Sequence, residues 1–123
     1  MYTLDTNAIL YYLKDDDTAV VALRDVFAQD SPVYVSAVTE LELLAFGNLS
    51  GDEQSLIESL LATVAIIPVD SYVARIAALL KRQYRIKVPD SIITATAMFT
   101  GSALLTRNTR DFRKISNLSM RKI

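Results

Sequence analysis

Four short apolar segments, YTL, VYVS, VAIIPV and SALLT, punctuate the chain, and one or two stretches of helical periodicity separate each from the next. This alternation constrains the fold more than any other feature. Strands divided by single helices or helix pairs lack the tight turns of hairpins, and the connections are long enough to return each strand in the same direction. The expected class is α/β with a mainly parallel central sheet. At 123 residues the chain reads as one domain, 1–123, with a real core, and it shows no repeat, linker or low-complexity tract.

The intervening stretches fill in the pattern. NAILYYL starts a helix that the charged run KDDD breaks. From Thr18 to about Ala28, Val20, Val21, Leu23, Val26 and Phe27 recur at helical spacing. Ser31-Pro32 makes a turn before VYVS. TELELLAF reads as a helix capped by Thr39 and ending near Gly47-Asn48, with Leu41, Leu44 and Ala45 in its core stripe. A helix from about Asp52 to Thr63 leads into VAIIPV. Asp70 or Ser71 caps SYVARIAALLKRQYR, whose last turn is rich in Lys and Arg, as suits the negative helix end. VPDSIITATAMFTG begins another helix, with Pro89 in its first turn and Gly101 as its stop. NTRDFRKI is a short helical turn and LSM a last edge strand.

Composition limits the chemistry. There is no cysteine, which removes disulfides and thiolate metal sites, and no histidine, the commonest general base and transition-metal ligand. Catalysis would have to use carboxylates, hydroxyls, Lys, Tyr or a hard cation. No apolar run approaches the roughly 18 residues of a membrane span, and no signal-peptide pattern is present, so a cytoplasmic location is the expectation. The formal net charge of −1 hides a division. Residues 1–70 hold 2 of the 13 basic and 12 of the 14 acidic residues, so 1–70 carries −10 and 71–123 carries +9. One reading is an acidic site beside a basic surface for a polyanion; the other is mutual neutralisation within the fold.

Ligands of open parallel sheets bind beyond the carboxyl ends of the strands. Asp5 follows YTL, Asp90 follows IKVP at a helix N-terminus, Asp111 comes shortly after SALLT, and Glu42 lies in the helix after VYVS. All four can reach one end of the sheet. Each also has a structural reading. Asp5 can cap the next helix, Thr39-x-x-Glu42 has capping-box spacing, Asp90 suits a first turn, and Asp111 can pair with Arg107 or Arg110. Asp15 to Asp17, Asp25, Asp52, Glu53 and Glu58 lie in charge runs or on helix faces where solvent is the expected neighbour. Convergence of the first four would create a repulsive cluster, costly to bury unpaired. A divalent oxygen-seeking cation resolves that cost, and it can also activate water and stabilise a phosphodiester under attack.

LDTN, TELELL, VPDSIITATA and LLTRNTRDF, in this order and spacing, resemble the PIN-domain ribonucleases, and among them the VapC toxins of toxin–antitoxin pairs. The likeness spans nearly the whole chain. LDTN alone is a weak signal, whereas P-D-x-x-I-x-x-T-A followed by T-R-N-x-R-D-F is fairly specific. The resemblance implies a three-layer α/β/α sandwich and places the family's acids on Asp5, Glu42, Asp90 and Asp111. It implies supporting roles for Thr6, Asn7, Thr106 and Asn108. The family's middle motif places its acid just before a Leu and three residues after a Thr. Glu42 satisfies this through Thr39 and Leu43, and Glu40, with Ala37 three residues before it, does not. Where some members carry an acid after the Asn, this chain has Thr109.

By this resemblance one or two Mg²⁺ or Mn²⁺ ions would be held by Asp5, Asp90 and Asp111, with Glu42 holding or deprotonating the attacking water. Lys81, Arg82, Arg85, Lys87, Arg107, Arg110 and Arg113 would contact the RNA backbone; for the group from Lys81 to Lys87 a solvated helix end is the alternative. An antitoxin partner and a homodimer are implied too. With 51% hydrophobic residues, some apolar side chains could serve interfaces. Tyr11, Tyr12, Phe27 and Phe46 are candidates, each of which would also suit the core. A nucleophilic-Asp phosphotransferase would want a second acid where Asn7 stands, and a receiver-like domain would begin with an acidic pair. The stronger rival is a catalytically silent PIN fold that binds RNA or a protein partner.

Overall fold

The chain alternates strand and helix as its punctuation implies. A computed structural model describes residues 1–123. Five strands form the sheet: β1 (Tyr2–Leu4), β2 (Val33–Ser36), β3 (Ala65–Ile67), β4 (Ala103–Thr106) and β5 (Met120–Lys122). Seven helices connect them: α1 (Thr6–Leu13), α2 (Asp17–Ala28), α3 (Ala37–Leu44), α4 (Gly51–Leu61), α5 (Ser71–Tyr84), α6 (Val88–Thr100) and α7 (Thr109–Phe112). Every strand pair is parallel, in the order β3-β2-β1-β4-β5. No helix is long and apolar enough to cross a membrane.

The sheet separates two cores, and β4 shows how. Side chains alternate along a strand, so the neighbouring Leu104 and Leu105 enter different apolar clusters. Leu105 packs with Leu4 and with Ile9, Leu23, Leu43 and Ile57 of α1 to α4. Leu104 packs with Val73, Leu80, Ile93 and Phe112 of α5 to α7. Burying one such side chain is worth about 1.5–3 kcal/mol. The result is the three-layer α/β/α sandwich, with the expected mainly parallel sheet proving parallel throughout.

Several local expectations are corrected. Helix α3 starts at Ala37, capped by Ser36, whose hydroxyl accepts from Val38 N at 3.1 Å; it stops at Leu44 instead of Gly47. Thr39 is therefore inside the helix and caps nothing. Leu41, Leu44 and Ala45 are exposed, and the core residue of this helix is Leu43. In α2 the buried face is Ala19, Ala22, Leu23 and Val26, leaving Val21 to solvent. Small alanines, invisible to a search for large apolar residues, take the inward positions. Phe46 is exposed, while Tyr11, Tyr12 and Phe27 are half-buried.

Other signals hold. Asp70 caps α5, accepting from Val73 N at 2.9 Å. Gly101 ends α6 in the left-handed region at φ 65°, where a Cβ would be strained. Arg85, expected within α5, instead terminates it in the same left-handed conformation.

Candidate active site

The strand order reverses at β1. The chain first winds outward through β2 and β3, then returns to place β4 on the other side of β1. Such a switch point opens a crevice at the carboxyl ends of the strands. Asp5 and Thr106 stand at the carboxyl ends of β1 and β4, on either side of that crevice.

Asp5 ends β1 by joining two structures. Its N–H donates to Leu105 O at 3.1 Å, completing the ladder, and its carbonyl accepts from Ile9 N at 3.3 Å to start α1. Its backbone occupies the cap position, but its carboxylate makes no capping hydrogen bond. That carboxylate instead accepts from Thr106 Oγ1 at 2.8 Å, while Asn108 N donates to the same threonine oxygen at 3.0 Å. Only 4% of Asp5 is exposed. Burial pushes its pKa up; the Thr106 hydrogen bond opposes this, and the charge of Asp90 adds to it.

Asp90 occupies the first turn of α6, after Pro89. Its pKa is also raised, first by burial; Lys87 opposes, and the charges of Glu42 and Asp111 add to the rise. Asp90 thus links the other three acids: Glu42 and Asp111 act on it, and it acts on Asp5. Asp5, Glu42 and Asp90 line one cleft of about 360 Å³ with Thr6 and Asn7, and Phe46 and Ile93 lie among its apolar walls. Asp111 is outside this lining, exposed on α7, and accepts from Asn108 Nδ2 at 2.7 Å instead of pairing with Arg107 or Arg110. No three of the acids are gathered closely enough to form a ready-made metal ligand set.

Glu42 is half-buried, and one oxygen accepts from Thr6 Oγ1 at 2.7 Å. Thr6 in turn shares a 2.9 Å hydrogen bond with Thr39 Oγ1. Glu40 is two residues away on the helix, turned about 200° around its axis, so the two side chains leave opposite faces. It does not line the cleft.

The basic candidates divide. Lys81 and Arg82 lie in the last turn of α5, Arg85 caps it and Lys87 precedes α6; all four are exposed. Arg110 and Arg113 are exposed on and beside α7. Arg107 is committed elsewhere. Its guanidinium binds both oxygens of Asp16, at 2.6 and 3.1 Å, donates to Thr18 Oγ1 at 2.7 Å, and lies 4.0 Å from the centre of the Tyr11 ring. Asp16, read in the sequence as a solvated acid of the KDDD run, is thus a partner for Arg107 as well as the cap of α2. The pair ties the segment that follows Thr106 at the end of β4, with Asn108 in it, to the start of α2.

Arg107 holds the Asp16 carboxyl well below its ordinary 3.8, and the Ala19 N–H adds to the effect. A depressed folded-state pKa contributes stability above the unfolded pKa, and this is lost as pH falls through the folded one. Asp16→Asn is therefore expected to lower the urea midpoint at pH 7, and the gap to wild type should narrow as pH falls below 3.8. A gap that stays constant with pH would contradict this assignment.

Comparisons with known proteins agree with the geometry. The ribonuclease VapC19 of Mycobacterium tuberculosis is 29% identical over 123 residues, covering 96% of this chain and 97% of that protein. A toxin–antitoxin complex from Klebsiella pneumoniae contains a chain that superposes with a TM-score of 0.84 at 28% identity, with all of both chains covered. A chain of the VapBC2 structure from Rickettsia felis, bound to a promoter DNA fragment, gives 0.85 at 22% identity over 99% and 98% of the two chains, a likeness of fold. The PIN domain model matches residues 2–118. With the fold, the switch-point cleft and a family match over nearly all its length in agreement, the chain belongs to the PIN domain family.

Proposed function

We propose that this chain is a divalent-metal-dependent endoribonuclease, the toxin of a VapBC-type toxin–antitoxin pair, acting as a single domain over residues 1–123. The observation that carries the reading is the meeting of Asp5, Glu42 and Asp90 in one cleft at the β1/β4 switch point. The relatives support it: one is named a ribonuclease, and another is part of a toxin–antitoxin complex.

The donor set fits Mg²⁺ or Mn²⁺. Burial raises the pKa values of Asp5 and Asp90, neighbouring carboxylates add to the rise at each, and a bound cation would favour the ionised forms of both. The two ion pairs of the fold, Arg107 with Asp16 and Arg121 with Asp25, leave these acids free. Mg²⁺ is usually held by one or two carboxylates and several waters, so a complete protein cage is not required. Asp5 and Asp90 would hold it, with Asp111 completing the site. When bound, the ion supplies charge neutralisation and polarises the phosphate and its attacking water.

The protein's own groups have separate tasks. Thr106 aims Asp5, and Asn108 holds Asp111. Asn7, exposed at the cleft, can orient substrate or water. Glu42 accepts a proton from the attacking water as the water oxygen bonds to phosphorus. The bond to the 3′ oxygen breaks, and that oxygen takes a proton from solvent, leaving a 5′-phosphate and a 3′-hydroxyl. Lys81, Arg82, Arg85, Lys87, Arg110 and Arg113 would hold backbone phosphates, a contact without base specificity. Arg107 acts through the loop it secures. An antitoxin and a second copy of the chain complete the expected assembly in the cytoplasm.

The spacing of the acids, with no three gathered, favours one alternative: a PIN module that binds RNA or a protein without cutting. Metal binding separates the two. Mg²⁺ or Mn²⁺ at a hundredfold excess over its Kd should stabilise the wild type by about 2.7 kcal/mol, read as a rise in Tm over the chelated protein. Asp90→Asn should lose most of that rise. A Tm indifferent to both ions would remove the metal from the account.

A further inference from the structure

We propose that Thr39 is a positioning residue for Glu42, acting through Thr6; the inference rests on the ribonuclease reading for its functional consequence. A threonine inside a helix commonly returns its hydroxyl to the carbonyl a turn behind it. Thr96 and Thr100 of α6 do this, donating to Ile92 O and Thr96 O at 2.8 Å each. Thr39 does not. Its hydroxyl leaves α3 and meets Thr6 of α1 at 2.9 Å, and the residue is fully buried.

Counting protons gives the contact a direction. The Thr6 hydroxyl has one proton, and it goes to Glu42 Oε1 at 2.7 Å, since an ionised carboxylate can only accept. The proton between the two threonines must therefore come from Thr39. The chain runs Thr39 to Thr6 to Glu42, so Thr39 fixes the rotation of the Thr6 hydroxyl about its C–O bond. Glu42 has no other side-chain hydrogen bond within the protein. Its carboxylate is held in the cleft by one hydroxyl whose aim is set by a second.

Helical spacing makes the arrangement possible. Thr39 and Glu42 are i and i+3 on α3, neighbours on one face, and Thr6 lies between them from α1. Without Thr39 the Thr6 hydroxyl could turn away from Glu42, and the carboxylate would sample positions from which it cannot reach the attacking water. Misplacement by an ångström can cost up to about a hundredfold in rate.

The test compares Thr39→Val, of nearly equal shape, with Thr39→Ser, which keeps the hydroxyl. Each is made in the wild type and in Glu42→Gln, and RNA cleavage is followed in single-turnover reactions with Mg²⁺. Thr39→Val should slow the maximal rate about tenfold with little change in half-saturation, and Thr39→Ser should restore it to within about twofold. In the Glu42→Gln background Thr39→Val should add no more than about twofold, because its route of action is already gone. Equal losses in both backgrounds, or no loss in either, would overturn the proposal. Should Thr39→Val unfold, Thr39→Ala set against Thr39→Ser makes the same comparison.

A crystal structure of the Thr39→Val protein gives a reading independent of activity. Glu42 should leave its 2.7 Å contact with Thr6 or lose order; an unchanged Glu42 would refute the positioning role. If the wild type cuts no RNA, the ribonuclease reading falls, and this structure alone decides whether Thr39 holds Glu42.

Discussion

Asp5→Asn is expected to abolish RNA cleavage, with a loss of at least about a thousandfold, roughly 4 kcal/mol of transition-state stabilisation, while making the chelated protein more stable at neutral pH. The two effects share one cause. Asp5 is 4% exposed and close enough to Asp90 for its charge to be felt, and both carboxyls have raised pKa values. For an acid whose folded pKa is raised, the stability present below the unfolded pKa is lost as pH rises through the folded one. At neutral pH the metal-free fold bears that cost. Asparagine can still accept from Thr106, so the local hydrogen bond survives while the charge is removed. Thermal unfolding in chelator should show a higher Tm for the variant, and the difference should shrink as pH falls into the acid range. A lower Tm in chelator would mean that the Asp5 carboxylate is a structural group.

Glu42→Gln is the second large effect. Loss of a general base typically costs about 10²–10⁴-fold in rate, and Glu42 is the cleft acid held by a hydroxyl of a neighbouring helix. Gln keeps the size and the acceptor for Thr6, so the fold and most of the metal-induced rise in Tm should persist. Single-turnover cleavage beside a melting curve separates these readouts. An inactive variant that still responds to metal supports a base. One that loses the metal response as well would make Glu42 a ligand, and one with wild-type rates would leave the proton to another group.

Positions at the carboxyl end of the sheet were legible in the sequence wherever they follow from the end of a strand or the start of a helix. Asp5 could be placed because it follows an apolar run, and Asp90 because Pro89 marks a first turn, whereas Thr106 was singled out only by the family resemblance. What escaped was decided by pairing across the fold. Thr39 looked like a cap because Thr-x-x-Glu has that spacing, but Ser36 had already taken the position. Its actual partner, Thr6, lies 33 residues away. Arg107 looked free for phosphate because its ion-pair partner is 91 residues distant in a run of aspartates. The exposed Val21 and Leu41 show a related limit. Helical periodicity identifies a face, yet on a helix near the surface a residue one or two positions on, Ala22 or Leu43, can be the one that turns inward.

The chemistry of the cut ends tests metal-dependent hydrolysis at this cleft most directly. The purified chain is incubated with cellular RNA and Mg²⁺, with chelator, and as the Asp5→Asn variant, and the termini of the fragments are mapped. The expected result is discrete fragments with 5′-phosphate and 3′-hydroxyl ends that require both the metal and Asp5. Cleavage that persists in chelator, or that leaves a 2′,3′-cyclic phosphate, would contradict it.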